Sequence, residues 1–313
     1  MKNFNFLNSS YSTTLISLDR YFNEMIELYN LKKFPKIMLL NGKKGIGKFT
    51  LVVHFLNYIY TKEEENIYNI KEKKINIDSI FYNQLLNQTN QDVLLIQAEE
   101  HKNIKIDDIR KLKSTLSKSS LSKNPRFTII DEVEFINENS VNALLKLLEE
   151  PSDNNFFILI NNQQADLIKT VSSRCLINNF YLSSDDAKKI ISYLSESKNL
   201  NNLIDVNSNL TPGLFVRFNE IFVNLGIDKN DNIFIKINKL LNAYKVKKDK
   251  TLINLTLFLI DEFFFNQVKK KENNLDFLLE IKSDINNNIN DFIRYNLNIS
   301  SVLNSIEIKL KNV

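Results

Sequence analysis

Apolar and polar positions follow two different patterns along this chain. Residues 13–34 carry apolar side chains at three- and four-residue steps, which predicts an amphipathic helix that Pro35 ends: Leu15, Leu18, Phe22, Met25 and Tyr29. Short apolar runs then alternate with longer stretches of helical period as far as about residue 182. From residue 183 onward the helical period dominates.

The short apolar runs predict five strands, at residues 36–40, 92–97, 126–132, 156–161 and 177–182. Helical stretches follow these runs at residues 49–60, 105–120, 139–149 and 165–171, and Pro151 stops the third of them. Strands that alternate with helices predict an α/β fold with a mostly parallel sheet and right-handed crossovers.

The all-helical remainder predicts two further domains. We divide the chain at residues 1–182, 183–226 and 227–313. Ser183 and Asp186 have the spacing of a capping box, and Thr211-Pro212 has the pattern of a helix start. The run LINLTLFLI, within residues 251–265, is apolar enough to predict contact with another subunit, and the alternative is that it forms the core of its own domain.

Composition excludes several classes of protein. The chain has 313 residues, of which 43% are hydrophobic and 25% charged, as in globular proteins. No run approaches the roughly 18 apolar residues of a membrane span, and the N-terminus lacks the pattern of a signal peptide. The single cysteine, Cys175, excludes a disulfide framework and a cysteine-rich zinc site, so we expect a cytoplasmic protein.

The residue usage is strongly skewed, with 47 Asn and 35 Lys but only 6 Arg. We interpret the lysine-rich stretches 245–250 and 269–271 mainly as solvated surface for this reason, with DNA phosphate contacts as the alternative. The net charge of +4 is too small to indicate nucleic-acid binding.

Three of the five glycines lie in the segment GKKGIGK, from Gly42 to Lys48. This is the pattern of a phosphate-binding loop, in which Gly42, Gly45 and Gly47 let the backbone N–H groups surround an anion and Lys48 reaches the outer phosphates. A strand before the loop and a helix after it fit that mechanism. A lysine-rich turn that arose by chance is the alternative.

The position after the loop lysine departs from the motif. A hydroxyl there would hold magnesium, but the residue is Phe49, and a hydroxyl follows only at Thr50, about 100° further around the helix. Asp131 and Glu132 end the third predicted strand, where the first acid of nucleotide hydrolases binds Mg²⁺ and the second orients water. The alternative for this pair is two solvated carboxylates.

Arg174, within the segment SSRC after the fourth strand, is unusual in a chain that otherwise uses lysine. A guanidinium suits phosphate because its planar fork donates two parallel hydrogen bonds. We interpret Cys175 as a small buried hydrophobe, and neither His54 nor His101 has a pattern that indicates chemistry.

Taken together, the phosphate loop, the segments TIIDEVEFINENSVNALLKLLEEP and FFILINNQQADLIKTVSSRC, and the stretch from Asp92 to Ser120 resemble the clamp-loader AAA+ ATPases of bacterial DNA polymerase III. The resemblance covers about residues 30–215. It implies an AAA+ sheet with helices on both faces, a small helical lid domain and an all-helical collar that holds a ring of subunits together.

The resemblance also implies roles for individual residues. Arg174 corresponds to an arginine finger given to the ATP of a neighbouring subunit, and Asn162 lies in the first-sensor region, with Asn161 as the alternative register. ATP or ADP is the implied ligand, Mg²⁺ is in doubt because of Phe49, and no zinc is implied. The implied partners are the other loader subunits (gamma/tau and delta), the sliding clamp and primed DNA.

Two functions follow from these residues. Phe49, and Gly213 where a motor subunit carries its second-sensor arginine, favour a non-hydrolysing ring member that donates Arg174. Lys48, Asp131 and Glu132 favour a motor that hydrolyses ATP in its own site. A third possibility, an unrelated phosphate-loop enzyme such as a small-molecule kinase, does not account for the segment through SSRC.

Overall fold

Five strands form one parallel sheet in the computed structural model, which describes residues 11–98, 103–117, 124–149, 154–200, 202–270, 275–311 and 313. Their order across the sheet is β2-β3-β4-β1-β5, and each neighbouring pair is parallel. The strands are β1 (Ile37–Asn41), β2 (Val93–Gln97), β3 (Arg126–Asp131), β4 (Asn155–Asn161) and β5 (Leu176–Asn179). The α/β class expected from the sequence is confirmed.

Helices connect these strands and dominate the described residues after β5. The first part contains α1 (Asp19–Asn30), α2 (Lys48–Tyr60), α3 (Ile80–Leu86), α4 (Ile106–Leu116), α5 (Glu138–Glu149), α6 (Lys169–Ser172) and α7 (Ser184–Ser197). The second part contains α8 (Pro212–Asn224), α9 (Ile233–Lys247), α10 (Lys250–Lys270), α11 (Leu275–Tyr295) and α12 (Ile299–Lys311). Pro151, His101 and residues 118–120 lie outside the described residues.

The two faces of the sheet are buried in separate apolar clusters because strand side chains alternate between faces. Met38 and Leu40 of β1 belong to a cluster built with α1, α2 and α3. Ile37 and Leu39 belong to a second cluster, built with α4, α5 and α6. The carboxyl ends of the strands therefore meet at one edge between two fixed helical layers.

The first predicted helix is wrong at its start. Residues 13–18 are not helical: Leu15 donates its N–H to the Lys73 carbonyl and Ile75 donates its N–H to the Thr13 carbonyl, so residues 13–15 pair with residues 73–75. The apolar period continues through both conformations, since Leu15 and Leu18 are buried in the same cluster as α1. The sequence pattern did not predict helix α3.

The chain divides into two compact units, one of residues 1–200 and 205–217 and the other of residues 201–204 and 218–313. The division falls within α8. The predicted boundaries at residues 182 and 226 are a finer division and stay a prediction. Ser183 begins α7 as expected, because its hydroxyl accepts the Asp186 N–H at 3.1 Å.

Helices α9 to α12 of the second unit pack against one another, α9 on α10 and α12, and α11 on α10 and α12. The run LINLTLFLI lies in α10, and most of it is buried: Leu252, Ile253, Leu255, Thr256, Leu259 and Ile260. The run therefore belongs to the core of its own unit, which was the alternative for its apolar character, and contact between these helices and another subunit stays a prediction. No helix in the described ranges is long and apolar enough to cross a membrane.

Candidate functional site

The predicted phosphate loop connects the end of β1 to the start of α2. Gly45 and Gly47 have φ angles of 83° and 97°, a conformation that glycine adopts without steric cost. Across the described part of the chain, the N–H groups of residues 43–47 make no backbone hydrogen bond. They are therefore free to donate to an anion, as the motif predicts.

Lys48 is the first residue of α2, and its side chain is buried. Its ammonium donates to the carbonyl oxygens of Gly42 at 2.7 Å and Lys43 at 2.8 Å. Burial lowers the pKa of Lys48 to about 8, although the nearby carboxylates of Asp131 and Glu134 favour its charged form. The charge is thus held inside the loop, where a phosphate would be the natural counter-ion.

Asp131 is buried at the carboxyl end of β3. Its carboxylate accepts hydrogen bonds from the side chains of Asn162 and Gln97, both at 3.1 Å, and from the Glu132 N–H at 2.9 Å. Burial, with Glu132 next in weight, raises the pKa of Asp131 to about 6. Strands β2, β3 and β4 therefore bring three polar side chains together at this edge.

Glu132 follows β3 in a left-handed conformation, with φ of 58°. Its carboxylate forms an ion pair with Lys44 of the phosphate loop at 2.6 Å. Backbone strain of this kind in a non-glycine residue persists only where the surroundings hold it. The second acid is thus bound to the loop rather than directed into open solvent.

Sequence reasoning missed Gln97, Glu134 and Lys44. Glu134 accepts the N–H of Asn162 at 3.0 Å and so fixes the segment that follows β4. Gln97 ends β2, and the convergence of parallel strand ends is the signal that could have found it. Lys44 and Glu134 contact residues that are distant in sequence, so no local sequence pattern predicts these contacts.

The two asparagines after β4 have different partners. Asn162 donates its amide to Asp131, whereas Asn161 donates its amide to Asn41 at 3.0 Å, and Asn41 donates in turn to Asn179 at 2.8 Å. The structure therefore brings Asn162 to the acid at the end of β3. Asn161 belongs to a row of amides across β4, β1 and β5.

Phe49 occupies the position where the motif has a magnesium-binding hydroxyl. Its ring packs at the edge of the cluster under α2, with its centroid 6.5 Å from that of Tyr11. The Thr50 hydroxyl makes no hydrogen bond to any described residue. The loop geometry fits a phosphate, whereas Phe49 offers no oxygen to a magnesium ion at the position where the motif has one.

The start of α8 lies directly against the phosphate loop. The Thr211 hydroxyl donates to the Lys44 carbonyl at 2.7 Å, and the Gly213 N–H donates to the Gly45 carbonyl at 2.8 Å. A Cβ atom at Gly213 would lie only 2.7 Å from the Gly45 Cα. An arginine at this position has no room, which explains the glycine.

Arg174 lies apart from these residues, on the connection between α6 and β5. Its guanidinium donates to the Thr170 carbonyl at 2.9 Å and to the Glu149 carboxylate at 2.8 Å. About a third of the side chain is exposed. Neighbouring Cys175 donates its thiol to the Val171 carbonyl, and burial raises its pKa to about 11, which disfavours the reactive thiolate at neutral pH.

The chain is similar in sequence to members of a known protein family. A family model described as "DNA polymerase III, delta subunit" matches residues 18–183, more than half of the chain. The DNA polymerase III subunit delta' of Buchnera aphidicola (subspecies Schizaphis graminum) is 28% identical over 192 residues, 61% of this chain and 54% of that protein. The subunit delta' of Bacillus subtilis is 26% identical over 254 residues, 79% of this chain and 70% of that protein.

Other matches extend beyond the proteins named delta'. The DNA polymerase III subunit gamma of the same Buchnera subspecies is 29% identical over 153 residues, 47% of this chain and 39% of that protein. A gamma subunit-related protein of Thermotoga maritima has a TM-score of 0.44 at 16% identity, over 94% of this chain and 97% of that one. The chain spans about half the length of the curated relatives it matches first.

Proposed function

The chain belongs to the delta-prime branch of the DNA polymerase III clamp-loader family, and we propose that it is a ring subunit that donates Arg174 to the ATP site of a neighbouring subunit. In this proposal it assembles in the cytoplasm with gamma or tau and with delta subunits. The assembled ring then loads the sliding clamp onto primed DNA.

The observation that carries this proposal is the geometry of the chain's own phosphate loop. The magnesium-binding hydroxyl is replaced by Phe49, whose ring packs in an apolar cluster. Gly213 lies against Gly45 where a motor subunit would place an arginine. Both features disfavour ATP hydrolysis in this site. In this proposal the subunit therefore supports hydrolysis at the ATP site of a neighbouring chain.

The surroundings of Arg174 support its role as the donor. It is exposed, it lies on a connection outside the sheet, and Thr170 and Glu149 hold its guanidinium. The exposed ion pair with Glu149 is weak in water and is readily exchanged for another anion. A phosphoryl group can accept two parallel hydrogen bonds from the planar guanidinium, which an ammonium cannot copy.

The loop itself is proposed to bind the phosphates of ATP or ADP without turnover. Free N–H groups in residues 43–47 and the buried ammonium of Lys48 favour an anion, whereas the magnesium set is incomplete. We expect calorimetric titration of the isolated chain to detect ATP binding that Lys48→Ala abolishes. A phosphate-release assay is expected to detect negligible hydrolysis, and robust turnover would overturn the non-motor proposal.

A motor with its own active site is the second candidate. The contact between Asn162 and Asp131 beside Lys48 favours it, as does the similarity to a protein named subunit gamma. The same phosphate-release assay separates the two candidates, because a motor gains turnover from its own loop. Loss of ring activity in a Lys48→Ala subunit beside intact partners would also favour the motor.

Arg174→Ala tests the donor role in a reconstituted loader complex. Arginine fingers accelerate hydrolysis by a factor of roughly 10³–10⁵ in other nucleotide hydrolases. Only one of several ATP sites in the ring would lose its finger, so the loss of rate for the whole ring should be smaller. We therefore expect normal assembly by size exclusion with lower DNA-stimulated ATP hydrolysis and clamp loading. Arg174→Lys should restore little of either rate.

Arg110→Ala is the matched control, because Arg110 is also an exposed arginine in a single ion pair, with Asp107 at 3.2 Å. It should leave both rates unchanged. Unchanged rates in a properly assembled Arg174→Ala ring would refute the donor role. Loss of assembly by Arg174→Ala would instead make Arg174 a structural residue of the interface.

A further inference from the structure

The connection between α9 and α10 concentrates positive charge at one end of the second unit. Lys245 and Lys247 lie in the last turn of α9, Lys248 follows it, and Lys250 begins α10. All four side chains are exposed. Val246 between them is 84% exposed, so the segment is turned outward rather than packed.

A second connection, between α11 and α12, lies beside this one. Lys248 donates its ammonium to the Asn296 side chain at 3.3 Å, which joins the two connections directly. Arg294, in the last turn of α11, adds a fifth cation and lies 5.4 Å from the ring centre of Tyr295. The Tyr295 ring is 61% exposed. We call this surface the basic end: Lys245, Lys247, Lys248, Lys250, Arg294 and Tyr295.

The charge of the basic end has little local compensation. Two carboxylates lie near the five cations: Asp249, which accepts the Thr251 N–H at 2.8 Å as the cap of α10, and the exposed Asp291, one turn before Arg294 on α11. Lys245, Lys247 and Lys250 form no ion pair with any described residue. Uncompensated like charges repel one another unless an outside anion neutralises them.

At the opposite end of the same helices, Lys239 pairs with Asp231 at 2.9 Å and Lys311 pairs with Glu307 at 2.7 Å. Lys269 and Lys270, in the last turn of α10, are exposed there and form no ion pair with any described residue. Unpaired lysines thus occur at both ends. At the basic end, two connections joined by Lys248 and Asn296 bring five cations and the exposed Tyr295 ring together.

We propose that the basic end binds single-stranded nucleic acid, with its lysines on the phosphates and Tyr295 stacked on a base. An exposed ring among cations is the combination that binds single strands, because unpaired bases offer a free face for stacking. Duplex and acidic protein surfaces supply the negative charge but no such face. This inference goes beyond the donor role of Arg174 and does not depend on it.

Fluorescence anisotropy of the full chain with a labelled oligothymidylate of about 20 nucleotides tests the proposal. The test variant is Lys245→Ala with Lys247→Ala, in the last turn of α9. The control is Lys269→Ala with Lys270→Ala, in the last turn of α10, which removes the same charge from the same position in a helix. Helix α10 has 21 residues, so the control lies about 30 Å from the start of α10.

Each lost phosphate contact lowers the slope of log affinity against log salt by about 0.7 for single strands. We expect the double variant Lys245→Ala with Lys247→Ala to lower that slope by about 1.4 between roughly 50 and 200 mM salt. The control variant Lys269→Ala with Lys270→Ala should leave the slope unchanged. Equal changes of slope in the two double variants would overturn the proposal, because they would show that the net charge of the chain alone attracts the oligonucleotide. Failure of the full chain to bind would overturn it as well.

Tyr295 separates the nucleic acid from an acidic protein surface. Tyr295→Ala should weaken oligothymidylate binding at least about fivefold, while Tyr295→Phe keeps the ring and should bind normally. Circular dichroism checks that both variants remain folded. Displacement of the oligonucleotide by polyglutamate, with Tyr295→Ala unchanged in affinity, would assign the basic end to an acidic protein partner and refute the proposal.

Discussion

Two buried side chains of the first unit, His54 and Asp131, have pKa values far from their ordinary range in opposite directions. His54 lies between the Tyr68 hydroxyl and the Ser12 carbonyl, each at 2.9 Å, and burial lowers its pKa to about 4. Burial raises the pKa of Asp131 to about 6. His54 is thus a structural residue of the core, as its lack of a chemical pattern suggested.

These shifts predict a pH dependence of stability. The unfolded chain binds a proton at His54 below about pH 6.5, whereas the folded chain resists it until about pH 4, so this contribution to stability falls as the pH is lowered between these values. We expect the free energy of unfolding to decrease by about 2 kcal/mol through His54 between pH 7 and pH 5. Urea titrations at several pH values measure it.

His54→Gln should remove this dependence because glutamine does not titrate. Asp131 acts in the opposite sense, since its raised pKa makes the folded state less stable as the pH rises through about 6. Asp131→Asn should therefore make the loss of stability toward pH 5 steeper. A His54→Gln protein with the pH profile of the original would contradict the assignment.

At the scale of elements, periodicity predicted which residues are buried better than where a helix begins. Leu15 and Leu18 continue the apolar period of α1, and both are buried, but the segment that carries them is not helical. Its backbone pairs with residues 73–75 instead of continuing the helix. A partner some 60 residues away leaves no trace in a local pattern, so tertiary pairing decided this boundary.

The same limit applies to the candidate site. Strand ends such as Asp131 and Asn162 could be predicted to meet, because parallel strands end at one edge of the sheet. The ion pair of Lys44 with Glu132 and the contact of Gly213 with Gly45 could not, because each joins elements distant in sequence. Sequence thus predicted the residues that end the strands, and packing decided their partners.

Helix α11 offers a test of its buried face with two isoleucines. Ile285 is fully buried, whereas Ile293, about two turns later, is 37% exposed. Ile285→Ala should lower the free energy of unfolding by about 2–5 kcal/mol, because it leaves a cavity in a packed core. Ile293→Ala removes the same atoms and should cost under about 1 kcal/mol. Chemical denaturation followed by circular dichroism compares them, and equal costs would contradict this packing.

For the molecule as a whole, the first unit contains its own hydrophobic core. The two clusters that cover the faces of the sheet draw on residues between Tyr11 and Leu182. The second unit also has a core of its own, since the apolar run of α10 is buried among the helices of that unit. We therefore expect each unit to fold without the other.

Truncation after Leu225 uses this independence to test where the ring is held together. The second half of α8 belongs to the second unit, so the truncated chain should also carry Phe218→Ser and Phe222→Ser to avoid exposed aromatic rings. We expect cooperative thermal unfolding of the remaining sheet domain, because its core is complete. We also expect it to elute apart from gamma or tau and delta subunits on size exclusion, since the helices after residue 228 are proposed to hold the ring. Entry into the ring at the level of the full chain would show that the sheet domain makes the assembling contacts and would overturn the collar assignment.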